Sequence, residues 1–553
     1  MSRVISHSKR HVPAGERRLD SFAWNRIEVM ALAAAMIALF ARVMTYPLQH
    51  DEQFYVSAGV LFSADGLYPQ LGFSHLPNLP MLLHLLYALP VGAHYLLIAR
   101  LVIYVAWVAA VAAVILIGRQ LGGEKLAVLL MAALLIANPL LLGATGMAAT
   151  NNFIAIPFAL FGLLAFLKGL APEQPRPWML VASGCLLALA AGFKINYAVL
   201  VLPFAVTALL VPKDFTLARR VLHVVLPLLA GGIIGALPIL FFLVRDPWGL
   251  LAHVVTFHRG PQIAFWLAHP DPVAPKIMGV PGKLLLAEQL WFSGGTMVLV
   301  TTLAFLTILM IFEAGTIQRA VRAVGWPAWL IAAVTIIAVA VSFPPTPAFP
   351  QYFALPIPFA LVLVAALHGR LDADRRAAAR PFMVAAILLA ALTGVPTLLS
   401  AAPGLIAPRK WTGIQVHADA QRIAALVRAS PPAMPLATLG PLYALEGGRA
   451  IYPQLGLGPF IYRAADYIPP DQRRYFHDPV SPTTITALLR STCPAGVLIG
   501  LEGELDTPLA AFARSEHYLP QQIMLHAAEQ KAALLLVRPL AMGNVCGQAP
   551  IVR

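Results

Sequence analysis

Pro80-Met81-Leu82-Leu83-His84-Leu85-Leu86-Tyr87-Ala88-Leu89 is an apolar run of ten residues, and its reading decides how the chain is threaded. As a helix it is about 15 Å long, half of the ~30 Å hydrocarbon core of a bilayer. If it crosses, Arg119, Lys125 and most later basic loops fall on the outside, against the tendency of Lys and Arg to stay in the cytoplasm. The run is therefore read as a helix lying at the outer interface. The segment around it, 46–93, contains no Lys or Arg, which also argues for the outside.

Working outward from that choice, the chain must be a polytopic α-helical membrane protein. Of its 553 residues 59% are hydrophobic and 12% charged, against about 25% charged in soluble domains. A mean hydropathy of +0.76 over this length excludes a soluble fold. The net charge of +14 does not require a nucleic-acid partner, because basic loops explain it. Residues 1–26 read as a cytoplasmic basic tail, polar for too long to be a cleaved signal. About eleven spans follow, near 27–45, 94–118, 126–142, 152–166, 178–192, 195–211, 221–244, 290–312, 327–343, 352–367 and 382–401. Inner loops then hold Arg119, Lys125, Lys168, Arg176, Lys213, Arg219, Arg220, Arg319, Arg322, Arg370, Arg375, Arg376 and Arg380. A second interfacial helix is expected at 52–64, with Phe54, Val56, Val60, Leu61 and Phe62 as its apolar surface. The membrane domain is thus 27–401, with 46–93 as its first periplasmic loop.

From Ala402 onward the texture changes. Helical patterns at 416–429, 483–490 and 507–514 alternate with short apolar runs at 436–439, 496–500 and 532–537. That alternation predicts a soluble α/β domain over 402–553, placed outside by an odd number of crossings. If the runs 496–500 and 532–537 are neighbouring strands, Cys493 and Cys546 can meet near the edge of this domain, and a disulfide is expected.

Few residues stand out for chemistry. His50-Asp51-Glu52-Gln53-Phe54-Tyr55 places two carboxylates just beyond the first span. Desolvation at an apolar surface would raise their basicity and suit one of them to general-base work; the alternative is a pair of solvated acids at a helix N-terminus. Isolated cations near the outer face, Arg42, Arg100, Lys194, Arg245 and Arg259, either clamp a lipid phosphate or snorkel to headgroups. Tyr352, in the Pro-rich turn 343–353, either donates to a phosphate or anchors the interface. Asp372 and Asp374 sit on an Arg-rich inner loop and read as solvated charge. His50, His75, His84 and His258 are all outside but lack metal-ligand spacing, so no metal or other cofactor is expected.

The order of these motifs resembles lipid-linked sugar transferases of the GT-C fold, in particular the protein O-mannosyltransferase and aminoarabinose transferase families. The resemblance rests on Asp51-Glu52 after the first span, Gly66-Leu67-Tyr68-Pro69, Arg100 near the start of the next span and Gly192-Phe193-Lys194. It continues through Gln351-Tyr352-Phe353, Tyr443-Ala444-Leu445-Glu446-Gly447-Gly448 and Phe460-Ile461-Tyr462-Arg463. It implies that Asp51, with Glu52 beside it, deprotonates an acceptor hydroxyl, which attacks the anomeric carbon of a polyprenyl-phosphate sugar. Lys194, Arg259, Arg100 and Tyr352 would then hold the donor phosphate, and His50, Tyr55 and His258 would contact acceptor or sugar. Two segments depart from the families: Ser74-His75-Leu76-Pro77-Asn78-Leu79-Pro80, where relatives often have Pro-Pro followed by Lys or Tyr, and Thr150-Asn151-Asn152, where some carry a metal-binding acid.

The expected function is an inverting, membrane-embedded glycosyltransferase of the bacterial cytoplasmic membrane. Its N-terminus is cytoplasmic and its C-terminal domain periplasmic. The acceptor is a lipid, glycan or protein. A transporter or flippase of a lipid-linked glycan is the alternative; it needs outer cations but no base at Asp51, and it calls for charges near the midplane that are scarce here. A membrane scaffold whose tail binds partners is a third reading.

Overall fold

In the first helix, α1 (Arg26–Thr45), Asn25 and Glu28 form a reciprocal capping box, each side chain accepting from the other's backbone N–H at 2.9 Å. This computed structural model describes residues 24–89, 92–170, 175–477, 479–527 and 531–539. Glu28 pairs with Lys125 at 2.5 Å, and Glu124 lies 3.2 Å from Arg376 and 3.5 Å from Arg380. The starts of α1, of α5 (Lys125–Ile136) and of the helix Ala373–Ala401 therefore share one end of the bundle.

Among the described residues, eight helices are long and apolar enough to cross a membrane. They are Arg26–Thr45, Tyr95–Gln120, Asn151–Gly169, Leu217–Arg245, Gly294–Ala314, Gly325–Ser342, Pro350–His368 and Ala373–Leu405. Three shorter apolar helices, Lys125–Ile136, Pro177–Phe193 and Ile195–Leu210, lie where the sequence analysis placed its third, fifth and sixth spans. The last span begins earlier than expected. Asp372 accepts the Arg375 N–H at 2.7 Å as an N-cap, so the basic segment after it is helical rather than a loop.

The tightest crossing joins α7 (Pro177–Phe193) to the helix Leu226–Arg245. Gly231 and Gly235 form a small-xxx-small pair facing Gly184. A Cβ at Gly184 would collide with the Leu228 carbonyl, at Gly231 with that of Val181, and at Gly235 with that of Cys185.

Most of the apolar run 80–89 falls in α3 (Asn78–Tyr87), with Leu83 buried and His84 and Leu85 exposed. Before it comes α2 (His50–Val60). Here the structure departs from expectation: Glu52 through Gly59 are all buried, so α2 is enclosed by protein rather than laid on a lipid surface. Its apolar residues surround the helix instead of forming a stripe, the pattern of a core helix.

The C-terminal domain carries a four-stranded sheet in the order β1-β2-β4-β3. The strands are β1 (Leu436–Thr438), β2 (Gly496–Ile499), β3 (Leu519–Leu525) and β4 (Lys531–Val537). β1 and β2 are parallel; β4 is antiparallel to both β2 and β3. The three apolar runs are β1, β2 and β4. β3, Leu519-Pro520-Gln521-Gln522-Ile523-Met524-Leu525, escaped the sequence reading because it is an edge strand, exposed at five of its seven positions. Pro is tolerated there because an edge leaves one face of the ladder unpaired. Cys493, just before β2, is disulfide-bonded, Cys185 is a free thiol, and Cys546 lies outside the described residues. Against the domain lie the helical turns of 247–268, whose Ala252, Phe257 and Phe265 pack with Ile461, Ala464, Ile468 and Phe476.

Candidate active site

The loop after α1 is held by one residue of α4 (Tyr95–Gln120), Arg100, which is fully buried. Its Nε and Nη2 donate to Glu52 Oε1 and Oε2 at 2.5 and 2.6 Å. Its remaining N–H groups go to the carbonyls of Val43 at 2.6 Å, Tyr46 at 2.8 Å and Pro47 at 3.3 Å. Glu52 also accepts the Ala149 N–H at 2.8 Å and the Gln49 N–H at 3.0 Å. All five guanidinium N–H groups are thus committed. This corrects the expectation for two residues: Arg100 has no donor left for a phosphate, and Glu52 is an anchor that fixes where α2 begins.

The neighbouring carboxylate is different. Asp51 is half-buried, and among the described residues nothing hydrogen-bonds to it. Burial pushes its carboxyl above the ordinary range, against the pull of Arg463, His50 and Lys194, while Glu52 adds to the rise. Lys194 ends α7 and is buried. Its Nζ donates to Asn152 Oδ1 at 2.6 Å and lies 5.4 Å from the centre of the Tyr352 ring. Burial lowers its ammonium to about 7, opposed by Asp51. Tyr55, one turn along α2 from Asp51, is buried, and burial together with the Asp51 charge raises its hydroxyl well above the usual range. Asp51, Lys194, Tyr352 and Tyr55 therefore form one cluster.

Sequence reasoning missed its second cation. Arg463 follows the short helix Pro459–Tyr462 of the C-terminal domain, and its charge is the strongest of those that oppose the rise at Asp51. Its guanidinium sits 4.9 Å from the ring centre of Phe460, 5.0 Å from that of Trp266 and 5.4 Å from that of Phe265. The motif Phe460-Ile461-Tyr462-Arg463 was visible, but an Arg in a soluble domain carries no signal of depth.

Most of the other expected residues are committed to contacts of their own. His50 Nδ1 is 2.8 Å from Glu502 Oε1, which holds the imidazole above its usual range. Asp506 Oδ2 accepts the N–H groups of Gly500, Leu501 and Glu502 at 2.8–2.9 Å and so fixes the loop that carries Glu502. The imidazole nitrogens of His258 are occupied, 2.6 Å from the Ser74 carbonyl and 2.5 Å from Gln262 Oε1, and its ring meets that of His75 at 5.1 Å. Burial drives the His75 imidazole well below its usual range. Arg259 is exposed, and no described contact ties it to the cluster. Arg245 pairs with Asp65, so neither is isolated.

Beside the cluster, between α2 and the C-terminal domain, lies a cavity of about 350 Å³ lined by His50, Gln53, Tyr443, Leu501, Glu502 and Lys531 among others. Among the described residues, Gln53 Oε1 and the Tyr443 hydroxyl are buried there without hydrogen-bond partners.

Neither a family model nor a curated protein matches the chain. The fold does match solved structures. ArnT from Cupriavidus metallidurans bound to undecaprenyl phosphate superposes with a TM-score of 0.57 at 15% identity, over 95% of this chain and 99% of that one. Its apo state gives 0.58, also at 15% identity, over 94% and 99%. The Archaeoglobus fulgidus oligosaccharyltransferase gives 0.41 at 13% identity, over 77% of this chain and 62% of that one. The expected GT-C architecture, with its helical membrane domain and small C-terminal sheet, is thus the observed one, and the likeness to ArnT is one of fold.

Proposed function

We propose that the protein is an inverting glycosyltransferase that moves a sugar from a polyprenyl-phosphate donor to a hydroxyl acceptor on the periplasmic face of the bacterial cytoplasmic membrane. The observation that carries this reading is the contrast between adjacent carboxylates. Glu52 is saturated by hydrogen bonds, whereas Asp51 is unbonded, desolvated and faced by two cations. The ArnT likeness spans nearly the whole chain, and that protein was solved with undecaprenyl phosphate, which supports a lipid-linked donor.

In this mechanism Asp51 takes the acceptor hydroxyl proton as the oxygen attacks the anomeric carbon. The bond from that carbon to the phosphate oxygen breaks in the same displacement, which inverts the centre. The phosphate departs as an anion, so the site needs fixed positive charge and no general acid. Lys194 and Arg463 supply it, and Tyr352 completes the lining around Lys194. The acceptor enters the cavity beside α2, where the unpartnered Gln53 and Tyr443 groups suit a hydroxyl-bearing ligand and His50 contacts it.

The test is mass spectrometry of envelope lipids and glycans from cells carrying the wild-type gene, no gene, or Asp51→Asn. General-base loss removes roughly 10²–10⁴-fold in rate, so the variant should match the gene-less cells while its protein accumulates normally. Wild-type product levels with Asp51→Asn would overturn the assignment.

A further inference from the structure

We propose that His94, His417 and Glu446 form a binding site for one divalent transition-metal cation, Zn²⁺ by ligand preference, which fastens the C-terminal domain to the membrane bundle. The three residues come from distant parts of the chain. His94 is the N-cap of α4, His417 lies on the helix Thr412–Leu426, and Glu446 follows the helix Pro441–Leu445. One ligand atom from each lies within 4.8 Å of the others. Tetrahedral coordination at about 2.0–2.1 Å needs ligand atoms roughly 3.3 Å apart, and His417 Nδ1 is already 3.2 Å from Glu446 Oε2.

Two further observations point to a ligand. Among the described residues, His94 Nδ1 is buried without a hydrogen-bond partner, although the His417 ring centre is only 3.9 Å from its own. Glu446 is fully buried, yet among the described residues its carboxylate is offset only by the Leu96 N–H at 2.8 Å and by His417. A cation answers both at once: it takes the lone pair of the orphaned nitrogen and neutralises the buried anion. The surroundings also fit an outer shell, since the Leu96 N–H orients one Glu446 oxygen. Two imidazoles and one carboxylate are a borderline donor set that suits Zn²⁺ and leaves a position for water. His94 and His417 are half-buried, so the site is open to solvent.

The test uses full-length protein in detergent, without a polyhistidine tag, stripped with chelator and titrated with Zn²⁺ by calorimetry and with Co²⁺ by visible absorption. The wild type should bind one equivalent and gain thermal stability. His94→Ala and His417→Ala should each weaken binding by at least the ~10–100-fold that loss of an outer-shell partner costs, and lose the thermal gain. His94→Gln serves as the second variant should truncation unfold the chain. No stoichiometric binding by the wild type, or binding unchanged in the histidine variants, would show that the cluster is only hydrogen-bonded and would overturn the proposal. Neither result bears on Asp51, so it leaves the glycosyltransferase reading untouched.

Discussion

Lys194 is where a single side chain gives the mechanism a measurable pH signature. To hold an anionic phosphate it must be protonated, and burial has brought its ammonium to about 7. Asp51 must be deprotonated to act as a base, and its carboxyl is raised. Activity should therefore fall on the acid side through the raised Asp51 value, and on the alkaline side through the Lys194 value. The expected profile of kcat/KM for the donor is a bell whose alkaline limb has a midpoint near 7. In kcat that limb should lie higher, because bound phosphate favours the charged amine. Lys194→Arg should abolish the limb up to at least about pH 9, since a guanidinium stays protonated. An unchanged alkaline limb in that variant would assign it to another group. Asp51 and Lys194 were legible in the sequence because a charge beside an apolar span is conspicuous. Arg463 was not, because its depth is created by Phe265, Trp266 and Phe460, which only the folded chain brings around it.

At the scale of elements, α2 is positioned by the Arg100–Glu52 pair and α7 by glycine contacts, and each device predicts a stability effect. Arg100→Leu leaves Glu52 buried without its counter-charge, which should destabilise by about 3–5 kcal/mol. Adding Glu52→Leu should recover part of that loss, because the penalty is the orphaned charge rather than the missing attraction. Thermal unfolding of the two single variants and the double variant in detergent measures this, and strictly additive losses would refute it. The glycine crossing offers a cleaner comparison within one helix. Gly231→Ala drives a methyl into the Val181 backbone, whereas an Ala at Gly232 meets nothing within 4 Å. Gly231→Ala should lower the midpoint, while Gly232→Ala should be neutral or raise it by relieving the ~0.5–1 kcal/mol helix penalty of Gly. Equal effects at the two positions would mean that helix propensity, not the crossing, governs stability here. The eight long apolar helices were readable from hydropathy, but the enclosure of α2 was not. Its all-round apolar pattern fits a core helix, but the residues that cover it, such as Phe460, come from far along the chain.

For the whole molecule, the ion pairs and hydrogen bonds sort the loops into two sets, whichever compartment each set faces. Glu28 with Lys125, and Glu124 with Arg376 and Arg380, gather one set. The other contains the α2–α3 region, Lys194, the segment 247–291 and the 343–353 turn, where Lys283 Nζ donates to the Phe343 and Pro345 carbonyls at 2.8 Å. The C-terminal domain belongs to this second set through His50–Glu502 and Thr412, whose hydroxyl donates to the Tyr46 carbonyl at 2.7 Å. The first set is the Lys- and Arg-rich one, so the charge rule turns this internal sorting into a direction across the membrane. A reporter fused after Arg553 should therefore be active only in the periplasm, and one inserted near Arg376 only in the cytoplasm. Because the contacts tie the loops of each set together, a cytoplasmic reading for the tail would reverse the whole second set with it. The Asp51 cluster would then face the cytoplasm, and the proposed donor would have to be drawn from the inner leaflet.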